Sequence, residues 1–344
     1  MKYNTLGNTG LLVSELCFGT MTFGGEGRWA AIGQQTQDEA EALLKESVDA
    51  GINFIDTANM YSFGQSEEIL GNGIKNLGLE RQNLVVATKV LGTMSSEPND
   101  RGLSRYHVFN SVDKSLQRLR MDHIDILYVH GVDPYVSIHE IMRTLNDVVT
   151  SGKVRYIGVC NWPAWLVMKA LGIARKEGWH EFKAMQYFYS LSNRDVEEAL
   201  IPLSEKEGLG FMPWSPLAGG FLTGKYKRES ETSGSGSRRD DFDFPPIDKE
   251  KAFDIVDVMK EIAEKHNTNV PEVALSWVRQ KQGVTSTIIG AKNMHQLLSN
   301  IHSVDLTLSQ DDMQALDDIS STAQRYPFWM VDFQSQSRYL DEDE

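Results

Sequence analysis

Asn53-Phe54-Ile55-Asp56-Thr57-Ala58-Asn59-Met60-Tyr61 holds a short apolar run that stops at a carboxylate, and a tyrosine follows five residues later, ahead of Gly64. Two later runs end in the same way. Leu84 to Thr88 stops at Lys89, and Ile124 to Val129 stops at His130. Short apolar runs bounded by polar residues read as buried strands. In a barrel of parallel strands, the residues at the carboxyl ends meet on one rim. That rim would collect a carboxylate, an ammonium and an imidazole, with the Tyr61 phenol on the first loop.

Outward from this stretch the same alternation continues. Strands read at 16–19, 52–56, 84–88, 124–129, 154–159, 184–188, 209–214 and 286–289. Helical periodicity reads at 36–50, 66–74, 105–119, 138–151, 163–177, 196–207 and 293–301. The first of these helices opens on Thr36-Gln37-Asp38-Glu39, a capping box, and stops at Gly51. Strands that alternate with helices imply crossovers and a parallel sheet. Eight such units predict an α/β fold, a (β/α)8 TIM barrel. An open dinucleotide-binding sheet needs a glycine-rich first turn, and Phe18-Gly19-Thr20-Met21-Thr22-Phe23-Gly24 does not supply GxGxxG.

Residues 1–14 carry turn signals at Gly7-Asn8 and Thr9-Gly10 and predict a β-hairpin. No composition shift divides the chain, so residues 1–344 read as one domain. The polar, Ser/Gly-rich stretch 229–246 is expected to be a mobile loop. The tail 322–344 holds Tyr326, Phe328, Trp329 and Phe333, expected to pack back onto the body, before an acidic end.

Composition narrows the function classes. Over 344 residues, 34 basic and 48 acidic side chains leave a formal charge of −14, which disfavours a nucleic-acid surface because phosphate backbones need a basic stripe. Cys17 and Cys160 cannot build a disulfide framework and suggest a reducing compartment. No apolar run is long enough to span a bilayer, and the start lacks a signal peptide's apolar core. The expectation is a soluble cytoplasmic protein with no membrane partner. Zinc is disfavoured too, since His130 and His139 lack metal-site spacing and the cysteines are isolated.

Each member of the quartet has a bland reading by itself: a cap or structural ion pair for Asp56 and Lys89, packing for Tyr61, a satisfied core edge for His130. Four together at strand ends predict one site. Lys89 beside Asp56 would form an ion pair, and a cation beside Tyr61 is expected to lower the phenol's pKa. Such a tyrosine serves as a general acid, with His130 orienting a carbonyl oxygen. These groups suit protonation of an oxyanion formed as a cofactor delivers hydride.

The stretch Phe54 to Tyr61 resembles the signature of the aldo-keto reductase superfamily. Gly152-Lys153-Val154-Arg155-Tyr156-Ile157-Gly158-Val159-Cys160-Asn161 resembles a second signature, and Ile288-Ile289-Gly290-Ala291-Lys292-Asn293-Met294-His295-Gln296-Leu297 a third. The likeness runs from about Leu6 to Leu316 in the family's order. It implies a (β/α)8 barrel whose bottom the hairpin closes, NADPH/NADP+ as cofactor, and a small carbonyl or alcohol substrate. Its catalytic tetrad maps onto Asp56, Tyr61, Lys89 and His130. By the same resemblance Asn161 and Gln186 hold the nicotinamide carboxamide, and Trp214 supplies the stacking ring. Ser215, Pro216, Leu217, Gly219 and Lys225 form the pyrophosphate loop. Gly290, Lys292, Gln296 and Asn300 hold the adenosine end beside a helix N-terminus that favours phosphate. Thr20 and Met21 sit near the nicotinamide ribose, and Asp56 counts among the cofactor contacts.

Three departures stand out. Cys160 replaces a common serine before Asn161. Lys292 replaces an arginine, a point charge in place of a bidentate fork, so NADH is expected at lower affinity than NADPH but by a smaller margin. Gly131 replaces a large residue after His130, and Trp29 and Trp162 are candidate aromatic walls or core residues. Two rival readings remain. Lys89 could act as a Schiff-base nucleophile, although Asp56 would keep it protonated. Alternatively the chain is a nucleotide-binding, redox-sensing regulatory partner, as the potassium-channel β subunits of the same superfamily are.

Overall fold

The structure, a computed structural model, describes residues 1–25, 27–228 and 238–336. The chain begins with the strands β1 (Tyr3–Thr5), β2 (Leu12–Ser14) and β3 (Leu16–Gly19), then α1 (Gln37–Asp49), β4 (Phe54–Asp56), α2 (Gln65–Asn76) and β5 (Val85–Val90). It continues through α3 (Arg105–Leu119), β6 (Ile124–Val129), α4 (Ile138–Thr150), β7 (Val154–Cys160), α5 (Ala164–Glu177) and β8 (Phe182–Phe188). Then come α6 (Val196–Glu207), β9 (Gly210–Trp214), α7 (Arg238–Asp241), α8 (Lys249–Lys265), α9 (Val270–Gln280) and β10 (Thr287–Ile289). The last elements are α10 (Met294–His302), α11 (Gln310–Ser320) and α12 (Phe328–Ser335).

Strands β3 to β10 form one parallel sheet in the order β10-β3-β4-β5-β6-β7-β8-β9. The two ends meet where the Thr285 N–H donates to the Phe211 carbonyl at 2.8 Å, just before β10, and this nearly closes a (β/α)8 barrel. Capping starts many of the helices. Thr36 and Glu39 form the expected capping box on α1, and Ser104, Ser137, Asp248, Asn269, Asn293 and Ser309 cap α3, α4, α8, α9, α10 and α11.

The period of two along each strand sorts the side chains between two cores. One set lies in the layer between sheet and helices, including Leu16, Phe18, Ile55, Val86, Leu127, Ile157 and Met185. The alternate set, Cys17, Phe54, Val85, Ala87, Ile126, Tyr128, Cys160, Ala184 and Met212, fills the barrel interior. Two residues beyond Phe54, Ala87, Tyr128, Ala184 and Met212 stand Asp56, Lys89, His130, Gln186 and Trp214. The alternation that builds the core therefore delivers five polar or aromatic groups to one end of the barrel axis.

The hairpin of β1 and β2 plugs the opposite end. Leu6 and Val13 are fully buried among the interior residues. The Asn8 N–H donates to the Gly208 carbonyl at 2.9 Å, and Gly7 has φ +53 with the Gly208 oxygen 2.3 Å from where a Cβ would stand, so a side chain does not fit there.

The structure differs from the sequence reading in three places. Helices α8, α9 and α11 were not assigned from the sequence and fill the long return from β9 to β10 and the approach to the tail. Of the expected mobile loop 229–246, residues 229–237 lie outside the described residues. The remainder includes α7, whose Arg239 is buried and donates to the Ala218 carbonyl at 2.8 Å. Three of the four tail aromatics do not pack back: Tyr326, Trp329 and Phe333 are 74%, 46% and 66% exposed, while Phe328 is half-buried. Helix α12, Phe-Trp-Met-Val-Asp-Phe-Gln-Ser, has no polar stripe to select an inward face, and polar tethers hold the segment before it, from Arg325 to Asp195 and Glu198. No helix among the described residues is long and apolar enough to cross a membrane.

Candidate active site

Lys89 is the hub of the barrel mouth. A lysine ammonium has three N–H donors and no acceptor, and all three are engaged. The Lys89 Nζ donates to Asp56 Oδ2 at 2.5 Å, to the Thr57 carbonyl at 2.7 Å and to Tyr61 Oη at 3.2 Å. Both charged partners are buried. Burial works against the Lys89 charge, but the Asp56 carboxylate outweighs it and holds the pKa above the usual lysine range. The amine therefore stays protonated, which counts against a Schiff-base nucleophile.

Asp56 is fixed from its other side as well, since Gln186 Nε2 donates to Asp56 Oδ1 at 2.9 Å. Behind the pair, the hydroxyls of Thr20, Thr57 and Ser66 lie within hydrogen-bond distance of one another around Ser66 and tie β3, β4 and α2 together.

Tyr61 stands on the loop after β4, at the head of a run in which Ser62, Phe63 and Gly64 all have positive φ. The Ser62 hydroxyl donates to the Phe23 carbonyl at 3.2 Å and anchors that run. Trp29 lies edge-on to the Tyr61 ring at 5.5 Å, and His130 does so at 6.0 Å. The expected lowering of the Tyr61 pKa is overturned. Burial pushes the phenol up by more than Lys89 draws it down, because removing a forming phenolate from water costs more than one shared cation returns. Burial, and then the Lys89 charge, drive His130 down to about 3, so its imidazole is neutral at physiological pH.

Residues 15–321 match the model of the aldo/keto reductase family. The chain belongs to this family. Among its relatives is a Schizosaccharomyces pombe protein named, provisionally, as an aryl-alcohol dehydrogenase, 35% identical over 92% of this chain and 95% of the relative. An uncharacterized oxidoreductase of Bacillus subtilis is 36% identical over 93% and 96% of the two chains. A probable voltage-gated potassium channel subunit beta of Oryza sativa is 34% identical over 89% and 92%. This aldo/keto reductase is thus an oxidoreductase by family.

The residues expected to hold a cofactor line the same rim of the reductase. Asn161, at the end of β7 with φ +59, donates from Nδ2 to the His130 carbonyl at 3.1 Å, and its Oδ1 accepts from Trp214 Nε1 at 3.1 Å. Ser215 to Gly220 form a tight turn in which the Gly219 N–H donates to Ser215 Oγ at 3.0 Å. At Gly219 a Cβ would stand 2.5 Å from the Phe244 carbonyl, so glycine is needed there. Pro216 is buried beneath this turn and Leu217 half-buried. Lys225 lies beyond it, where burial and then the like charge of Lys292 lower its pKa. Around the β10 exit, the Lys292 N–H donates to Gln296 Oε1 at 2.9 Å at the start of α10, and Asn300, in the last turn of that helix, donates to the Gly290 carbonyl at 3.1 Å.

Some expectations are refined. Thr20 turns its buried hydroxyl to Ser66, whereas Met21 packs beside Trp29 and Tyr61. Trp29 borders the Tyr61 ring, but Trp162 is fully buried between sheet and helices, edge-on to Phe182, and is no pocket wall. Two further residues at the mouth were not read from the sequence. Phe188 stacks on Trp214 at 5.0 Å and Phe244 at 5.9 Å. Phe188 could have been found as the residue two beyond Gln186 on β8. Phe244 has no such local signal, because only the tertiary fold brings it to Trp214.

A pH dependence follows from His130. In the unfolded chain an imidazole protonates near 6.5, roughly, while in the folded reductase it stays neutral down to about 3. The unfolded state therefore binds the extra proton between those values. The stability this group contributes is complete above the unfolded pKa and is lost as pH falls toward the folded one. Thermal melts stepped from pH 6.5 to pH 4, roughly that window, should fall less steeply in His130→Asn than in the parent. Parallel curves would remove His130 from the account.

Proposed function

We propose that this aldo/keto reductase reduces aldehydes or ketones to alcohols with NADPH, reversibly, and that aryl aldehydes are among its substrates. The observation that carries the reading is the set of three donations from Lys89. Because Tyr61 Oη accepts from a cation, its own O–H proton is left to point outward, toward an incoming carbonyl oxygen. Once that proton has gone, the phenolate remains beside the ammonium. The neutral His130 can donate one hydrogen bond to the same oxygen and set its direction. Asp56 holds Lys89 charged throughout. NADPH, when bound, supplies the hydride.

Asn161 and Gln186 would hold its carboxamide, Trp214 its ring, and Ser215 to Gly219 with Lys225 its pyrophosphate. Gly290, Lys292, Gln296 and Asn300 would hold the adenosine end. Lys225 and Lys292 suit an anionic nucleotide, and Lys292 stands where the family resemblance sets a contact to the 2′-phosphate, which supports NADPH over NADH. An aryl substrate suits Trp29 beside Tyr61, the space beyond Gly131, where a Cβ would meet Leu91 alone at 3.1 Å, and the aryl-alcohol name of one relative. The likeness to a channel β subunit supports a second reading, a nucleotide-binding regulatory partner with little turnover.

Titration with NADPH and NADH, followed by tryptophan fluorescence, tests the first reading. NADPH should bind more tightly, and Lys292→Ala should weaken it about tenfold, the worth of one charge-assisted contact. A benzaldehyde-type substrate should then be turned over. Binding without turnover of any carbonyl would favour the regulatory reading, and no binding of either nucleotide would remove both.

A further inference from the structure

We propose that Trp214 acts as a positioning residue through its indole N–H as well as through its ring. In this role it sets the Asn161 amide in one orientation and so fixes the sense in which a planar carboxamide is held. The inference rests on the nicotinamide reading above. A primary amide has a donor end and an acceptor end of nearly the same shape, and a flip exchanges them. Here both neighbours are unambiguous. An indole N–H can only donate, and a backbone carbonyl can only accept. Trp214 Nε1 lies 3.1 Å from Asn161 Oδ1, and Asn161 Nδ2 lies 3.1 Å from the His130 carbonyl. A flipped amide would set oxygen against oxygen at His130 and N–H against N–H at Trp214.

The geometry around the pair keeps it in register. Trp214 ends β9, and its ring is stacked by Phe188 at 5.0 Å and by Phe244 at 5.9 Å with only 9° between planes, so its N–H has a fixed direction. Asn161 has φ +59, a left-handed conformation that asparagine tolerates better than most residues. One lone pair on Oδ1 and one N–H on Nδ2 remain for a ligand, in a fixed order. Because the same amide holds the His130 carbonyl, the orientation of Asn161 also bears on the placement of the imidazole. Phenylalanine at 214 would keep a flat ring but leave the amide orientation to the His130 carbonyl alone.

The first test needs no nucleotide. In 15N-labelled protein, the Trp214 indole resonance is identified by its loss in Trp214→Phe. It should move upfield in Asn161→Ala and stay downfield in Asn161→Asp, which keeps an acceptor. An unmoved resonance in Asn161→Ala would overturn the proposal whatever the nucleotide does.

The second test uses NADPH deuterated at one or the other C4 position. The parent should transfer from a single position. Trp214→Phe should keep that position, because a flat ring still stacks, but slow hydride transfer about 3- to 10-fold, the value of one hydrogen bond, with the dissociation constant changed less than twofold. The double variant Trp214→Phe/Asn161→Ala should be little worse than Asn161→Ala, because both remove one interaction. Multiplying defects, or a parental rate of hydride transfer in Trp214→Phe, would overturn it. Absence of nucleotide binding in the parent would instead overturn the function, and the indole shift keeps the two failures apart. Should Trp214→Phe not fold, Trp214→Tyr carries the same expectations.

Discussion

Tyr61→Phe should lower kcat/KM for carbonyl reduction by about 10³-fold, within the 10²–10⁴ that a positioned proton donor contributes, while NADPH binding stays near the parental value. The substitution keeps the ring that packs against Trp29 and His130 and removes the hydroxyl proposed as the proton donor. It also leaves one N–H of Lys89 without its acceptor. Stopped-flow or steady-state reduction of an aryl aldehyde, beside a fluorescence titration of the nucleotide, separates the chemistry from the binding. A loss of less than about tenfold would hand the proton to another group or to water. The raised phenol pKa gives the parent a second signature. Reduction needs Tyr61 protonated, and burial keeps it so above the ordinary tyrosine value. The rate should therefore hold level across neutral and mildly alkaline pH and decline only in strongly alkaline buffer.

The largest stability effect is expected at Lys89→Met. It strips the cation from a buried carboxylate and takes the Lys89 donor from Asp56 Oδ2 and the Thr57 carbonyl, leaving Asp56 only the Gln186 amide on Oδ1. Breaking a buried pair from one side typically costs about 3–5 kcal/mol, and a urea midpoint should show most of that. The pKa of Lys89 is raised in the folded state, so this stabilisation is complete below the unfolded lysine value and is lost only as pH rises through the folded one. The deficit should accordingly be constant between neutral and mildly alkaline pH. Asp56→Asn/Lys89→Met should recover part of it, since the second change removes the stranded charge. Both variants should be inactive. Equal stability of Lys89→Met and the parent would mean that the pair is solvated and contributes little.

The barrel was legible because its strands are short, apolar and bounded by residues that stop them, and because the period of two assigns Asp56, Lys89 and His130 to the interior. Thr36 to Glu39 and Gly51 marked helix ends by local chemistry alone. Helix α8 could have been read too. Asp248 is a capping residue, and Ala252, Ile255, Val256, Met259 and Ile262 follow at helical spacing, although the polar stretch before it masks the start. Other features belong to the tertiary fold. The sign of the Tyr61 shift depends on burial weighed against one cation, which no sequence pattern states. The seats of Phe244 and Arg239 on the turn after β9 join residues far apart along the chain. Whether Tyr326, Trp329 and Phe333 meet a surface depends on a facing groove and not on their own hydrophobicity.

Tyr61 is followed by Ser62 and Phe63, both in left-handed backbone with φ +47 and +53. For residues with a Cβ this conformation costs roughly 1–2 kcal/mol each. Ser62 is held by its hydrogen bond to the Phe23 carbonyl, but glycine or asparagine at the exposed Phe63 would relax the backbone, so a screen for heat resistance alone should select such a replacement. The same replacement loosens the arc that aims the phenol. Laboratory evolution of this protein should therefore assay turnover and melting together, because the cheapest route to a hardier barrel passes through the loop that carries Tyr61.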